Sequence, residues 1–208
     1  MKFLAITLLL LTSIFLIACS ANQANKKISN SELENLAKQY GGVYIFDEKF
    51  EKEIEKIEAE RKELRKNTKG KDLGGGLYAV NTKLVDEKLP QTLSNGKKYY
   101  TSWIDYERDT GKKAEVPEIY INKIKEFMGE SNYDKSPNFP ILVMFYEDNN
   151  QIVPIELSMS YTYYKTKYGL FGDEGMGIRF KDEEQIFIPG GNKFILINNK
   201  FIKANKDK

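Results

Sequence analysis

The sequence predicts an α+β domain in which N-terminal helices pack on a C-terminal antiparallel sheet. Three observations predict it. Capped segments with helical apolar spacing occupy the early part of the chain. The longest period-2 alternation runs through 153–164. Turn pairs such as Asn149-Asn150 and Asn198-Asn199 punctuate the last part. Helices first and strands later are the pattern of an α+β domain.

The spacing predicts a first helix over 31–40. Ser29 and Glu32 stand at capping-box distance, as do Ser31 and Glu34. Leu33, Leu36 and Ala37 form its apolar stripe, and Gly41-Gly42 stops it. A short strand is expected over 43–46. Asp47 then fits the N-cap of a second helix, with Glu48 and Glu51 at the positive end of its dipole. Phe50, Ile54, Ile57 and Leu64 share one seam, and Arg61 fills its missing position. That seam is expected to turn inward onto the domain's own sheet; the competing reading makes it a contact helix for an envelope assembly. Arg65, Lys66, Lys69 and Lys71 suit the helix C-terminus and a following loop.

Residues 72–76 read as a glycine-rich connection. They lack the Lys-Ser/Thr ending of a phosphate-binding loop. Strands are expected at 77–80 and, after a turn at Asn95-Gly96, at 98–106, the latter carrying Trp103. A third helix fits 117–128, opened by Pro117 and ended by Gly129. The apolar run 139–146 predicts a central strand. In the alternation that follows, Ile155, Leu157, Met159, Tyr161 and Tyr163 are expected to face the core, and Glu156, Ser158, Ser160, Thr162 and Tyr164 to face out. Segments around Ile178–Phe180 and Ile186–Ile188, then 194–197 and 200–203, complete the sheet, the last two as a hairpin turned at Asn198-Asn199.

Composition narrows the chemistry. The chain has 208 residues, 30% of them charged, with a net charge of +2. So balanced a charge gives no support for a nucleic-acid partner. With no histidine, the chain has no Ser-His-Asp or Cys-His catalysis and no His-ligated metal. The only cysteine is Cys19. The rest of the chain therefore has no thiol nucleophile and no internal disulfide.

Lys2 is followed by sixteen residues, Phe3 to Ala18, whose only polar members are Thr7, Thr12 and Ser13. The run ends Leu16-Ile17-Ala18-Cys19-Ser20. This resembles the signal peptide and lipobox of bacterial lipoproteins. The resemblance implies that diacylglycerol is attached to the Cys19 thiol and that the chain is cut before it. It divides the chain into a signal peptide (1–18), a lipid-anchored polar tether (19–30) and one α+β domain (31–208). It places the protein in the cell envelope: on the outer membrane of a Gram-negative cell, otherwise on the outer face of the cytoplasmic membrane. The membrane is then a partner through the acyl chains on Cys19.

Three constellations are candidates for chemistry. Asp105, Glu107 and Asp109 before Gly111 look like the start of a calcium loop, but the glycine is one position late and Val116 replaces the closing Glu. A hairpin turned at 109–111 explains the same residues. Glu156 with Asp173 or Glu174 offers the paired carboxylates of a glycosidase. Glu156, Ser160, Thr162 and Tyr164, with the glycine loop 172–177 carrying Asp173 and Glu174, form a candidate recognition surface of rigid strand plus loop. The expected function is an envelope-anchored binding or inhibitory module for a protein or envelope polymer, without a cofactor. A carboxylate-dependent hydrolase and a structural subunit of an envelope assembly are the alternatives.

Overall fold

A computed structural model describes residues 28–75, 77–80, 82–135, 140–172, 175, 177–188 and 190–204. Cys19, Asp173 and Glu174 lie outside them. The elements are α1 (Asn30–Tyr40), β1 (Gly42–Ile45), α2 (Glu48–Asn67), β2 (Lys69–Gly74), β3 (Leu77–Val80), α3 (Thr82–Lys88), β4 (Tyr99–Tyr100) and α4 (Trp103–Thr110). After them come α5 (Glu118–Met128), α6 (Glu130–Asp134), β5 (Ile141–Asp148), β6 (Gln151–Met159), β7 (Tyr161–Phe171), β8 (Arg179–Ile188), β9 (Asn192–Ile197) and β10 (Lys200–Lys203). The fold is α+β.

Local chemistry sets the helix starts. The Ser29 hydroxyl accepts from the Glu32 backbone N–H, and the Asp47 carboxylate accepts from that of Phe50. Both satisfy amides that the first turn leaves without partners.

Six strands form the main sheet in the order β10-β9-β1-β6-β5-β4. Its pairings are antiparallel except β1–β9, which runs parallel. The expected all-antiparallel sheet is therefore mixed, because the N-terminal strand inserts between two late ones. Helices cover both faces. On one side α1, α4, α5 and α6 enclose Tyr44, Tyr106, Phe145, Leu157, Met159, Tyr161 and Phe194. On the other, Ile54 of α2 packs with Leu93, Tyr99 and Ile155, flanked by Phe50 and Ile57. The seam of α2 is thus turned inward.

A bulge decides which residue faces which side. Met144 pairs with Glu156 but Phe145 pairs with Pro154, so Ile155 has no partner on β5. One extra residue reverses the alternation. Ile155 and Glu156 consequently both face α2, while Leu157 and Met159 face the larger core. The expectation that Glu156 points outward is corrected: it is 7% exposed, beneath α2.

Three further expectations are corrected. The strand expected at 98–106 is only Tyr99–Tyr100; Trp103–Thr110 is helical, closed by Gly111 in the left-handed region. The charged segment after α2 is a strand, hairpin-paired with β3. The run expected as one strand through 164 breaks at Ser160, where β6 leaves the sheet and β7 begins a separate hairpin with β8.

Candidate functional site

The β7–β8 hairpin is an arm with three zones. At its root Tyr161 pairs with Ile188 and Tyr163 with Ile186. Tyr161 is buried, and Tyr163 and Ile188 pack against the larger core. The waist is charged: Lys165 lies opposite Glu184 and Lys167 opposite Asp182, and Lys167 Nζ is 2.8 Å from Glu184. At the far end Tyr168, Leu170, Ile178 and Phe180 are 73–83% exposed. Gly172 closes that end with φ +141°, and a Cβ there would lie 1.9 Å from the Gly177 carbonyl. Close backbone packing therefore accounts for Gly172, and a φ of +73° accounts for Gly177.

Beside the root is a cleft of about 360 Å³. Ser158, Ser160, Phe187, Lys193 and the backbone of Gly190-Gly191 line it. The arm's register carries this surface outward. Phe187 lies opposite Thr162, and Tyr164 is two residues further along the same face. Phe187 and Tyr164 are both exposed. Gly41 and Gly190 fix the wall, since a Cβ on Gly190 would meet the Gly41 carbonyl oxygen at 1.9 Å.

Of the residues proposed from sequence, Ser160, Thr162 and Tyr164 share this root region. Glu156 does not join them. It sits under α2 beside Glu51, which is 2% exposed, and Lys193 Nζ lies 2.6 Å from Glu51 Oε1. Glu51 Oε2 is buried without a hydrogen bond. Burial pushes the Glu156 carboxyl up to about 7; Glu51 and Glu55 add to the rise and Lys193 opposes it. The Lys193 ammonium is raised, chiefly by its hydrogen bond to Glu51. Sequence reading missed Lys193 and Glu51, because a lysine on a late strand and a first-turn glutamate look solvated until α2 is placed over β9.

A second cleft, about 680 Å³, lies between α2, α3 and α4. Each basic group on it has an acidic partner. Arg61, 3% exposed, donates to the Leu89 carbonyl and to Asp86. Its Nε is 3.2 Å from Glu58 Oε1 without hydrogen-bond geometry. Tyr99 and Gln91 donate to that oxygen instead, at 2.9 Å each. Lys98 pairs with Asp109, and Arg108 with Asp105 and Asp109. The Arg61–Leu89 and Gln91–Glu58 bonds tie the 89–92 segment to α2.

The calcium-loop candidates therefore sit on α4. Asp105 and Asp109 are engaged by Arg108 and Lys98, and Glu107 accepts from the Ala114 N–H. A helical backbone does not let alternate carboxylates converge on one ion. Among the described residues no helix is long and apolar enough to cross a membrane. No family model, curated protein or solved structure matches the chain.

Proposed function

We propose that this protein is a lipid-anchored envelope module that binds an envelope polymer at the root of its β7–β8 arm. The observation that carries the reading is the joining of the cleft to the arm's exposed face. Phe187 and Tyr164 offer flat rings beside the hydroxyls of Ser158 and Ser160 and the glycine wall. Rings with adjacent hydrogen-bonding groups on a rigid strand suit a polymer that is apolar on one side and polar on its edges. Binding is favoured over hydrolysis because Glu156 and Glu51 lie under α2, outside the lining of this cleft. It is favoured over assembly through α2 because that helix spends its apolar seam on Ile155 and Leu93.

The anchor is tested by Cys19→Ser, which should give an uncleaved or mislocalised protein; unchanged fractionation removes it. The binding site is tested by sedimenting the protein with purified envelope polymer. Phe187→Ala with Tyr164→Ala should reduce the bound fraction at least tenfold without altering the melting curve. Unchanged sedimentation, or capture of an envelope protein through the same residues with no polymer bound, replaces the polymer reading.

A further inference from the structure

We infer that the far end of the β7–β8 arm is a membrane-contacting tip that enters the interface of the bilayer holding the chain. The inference rests on the reading of Cys19 as the lipid anchor, and it concerns Tyr168, Leu170, Ile178 and Phe180.

The zoning of the arm sets these residues apart. At the root Tyr161, Tyr163 and Ile188 are used by the larger core, and Phe187 and Tyr164 belong to the cleft face described above. The waist between root and tip is a ladder of Lys-acid pairs in water. The tip is therefore not an edge of the core. Its four large apolar side chains are 73–83% exposed, Tyr168 and Phe180 on opposite faces of a two-stranded hairpin with no third strand beside it among the described residues. Several large apolar side chains exposed together at one end of an element usually mark a contact. The composition of the tip suits the boundary between water and lipid: Leu170 and Ile178 flank the closing segment 172–177, which also carries Asp173 and Glu174, Arg179 stands between Ile178 and Phe180, and Tyr168, Lys181 and Lys167 follow behind. Tyrosine rings and long basic stems favour that boundary because each is apolar along its length and polar at its end.

The place where the chain enters the domain selects the bilayer as the occupant. Gly42 pairs with both Met159 and Asn192, and Ile141 pairs with Ser158. The starts of β1, β5 and β9 and the end of β6 thus lie at one end of the sheet, and the arm leaves there. Helix α1 lies at the same end. Its C-terminus runs through Gly41 into β1, and Glu32 in its first turn is 2.8 Å from Lys135, shortly before β5. Ile28, the first described residue, immediately precedes α1 and packs on the larger core.

Lengths complete the argument. Nine residue steps separate Cys19 from Ile28, at most about 30 Å of extended chain. The 11-residue strand β7 is about 36 Å long at strand rise. A lipid on Cys19 therefore holds Ile28 within a distance of the bilayer comparable with the length of the arm.

The test uses the full lipidated chain in phosphatidylcholine vesicles. Cys19 is the only cysteine and lipidation consumes its thiol, so Leu170→Cys supplies a unique site for an environment-sensitive fluorophore. Lys113→Cys is the control, because its neighbour Lys112 pairs with Glu147 at the opposite end of the sheet. Spin-labelled lipid should quench the probe at 170 several-fold more than the probe at 113. With the probe at Tyr168→Cys, adding Leu170→Asp and Phe180→Asp should abolish quenching while the chain stays on the vesicles. Equal quenching at 170 and 113 overturns the inference, as does a tip probe that is shielded only when envelope proteins are added. A wild-type chain that does not float with vesicles removes the anchor itself and this inference with it.

Discussion

Lys193, on β9, places its ammonium 2.6 Å from the buried carboxylate of Glu51, on α2. Glu156 and Glu55 also act on that ammonium. The pair fastens the first turns of α2 to the parallel-paired part of the sheet. Removing the cation leaves Glu51 buried without a counter-charge. Lys193→Met should therefore destabilise the fold by about 1–3 kcal/mol, less than for a fully buried pair because Lys193 is half-exposed. Urea unfolding at neutral pH measures it, and Lys193→Met with Glu51→Gln should recover much of the loss.

The same group makes stability fall toward alkaline pH. Glu156 titrates at about 7 in the fold, against an ordinary value of 4.5. A carboxyl whose folded value is raised binds its proton more tightly when folded. Its contribution is whole below 4.5 and is lost as pH rises from there through about 7. Glu156→Gln, which stays neutral, should stabilise the protein at pH 8 by roughly 1–3 kcal/mol and change little at pH 4. Paired urea melts at the two pH values would show an equal effect at both if Glu156 were not the titrating group.

On β6, the bulge makes the two faces distinguishable by mutation. Leu157→Ala and Ile155→Ala should each cost about 2–5 kcal/mol, although they open cavities in different cores. Ser158→Ala should change stability by less than about 0.5 kcal/mol. With the two cores separated by the sheet, the Ile155 and Leu157 losses should add to within about 0.5 kcal/mol in the double variant. A large departure from additivity would place both side chains on one face.

Trp103 is the only tryptophan, and it is exposed on the first turn of α4. Native fluorescence should be red-shifted and readily quenched by iodide, and unfolding should change it little. A blue-shifted emission protected from iodide would restore the sequence expectation of a strand carrying that ring.

What the sequence made legible was local. Ser29 and Asp47 cap the helices they were expected to cap. Asn149-Asn150 and Asn198-Asn199 take positive φ in tight hairpins, as their side chains allow. Leu33, Leu36 and Ala37 are buried as their spacing predicts. Features set by distant partners were not legible. Period-2 spacing cannot reveal the bulge at Ile155, so Glu156 was read onto the wrong face. The alternation from Val153 to Tyr164 continues unbroken although the backbone leaves one sheet for another at Ser160. The aromatic residues between Tyr99 and Tyr106 suggest a strand, and Gly111, which ends α4, reads from sequence as part of a hairpin turn. Arg61 did leave a trace: a charge in the middle of an apolar seam marked the place where α2 meets α3 and the 89–92 segment.

The position of β1 governs when the domain can form. Its neighbours, β6 and β9, follow it by more than a hundred residues. A nascent chain therefore exposes β1 long before either side of its ladder exists, and closing the sheet waits until residues beyond Asn192 have been made. Contacts at such separation form slowly, since the intervening chain must be ordered first. Closing the main sheet is therefore the late step of folding, whatever forms locally before it. That step falls to β9, whose parallel pairing with β1 joins the C-terminal hairpin to the rest of the sheet.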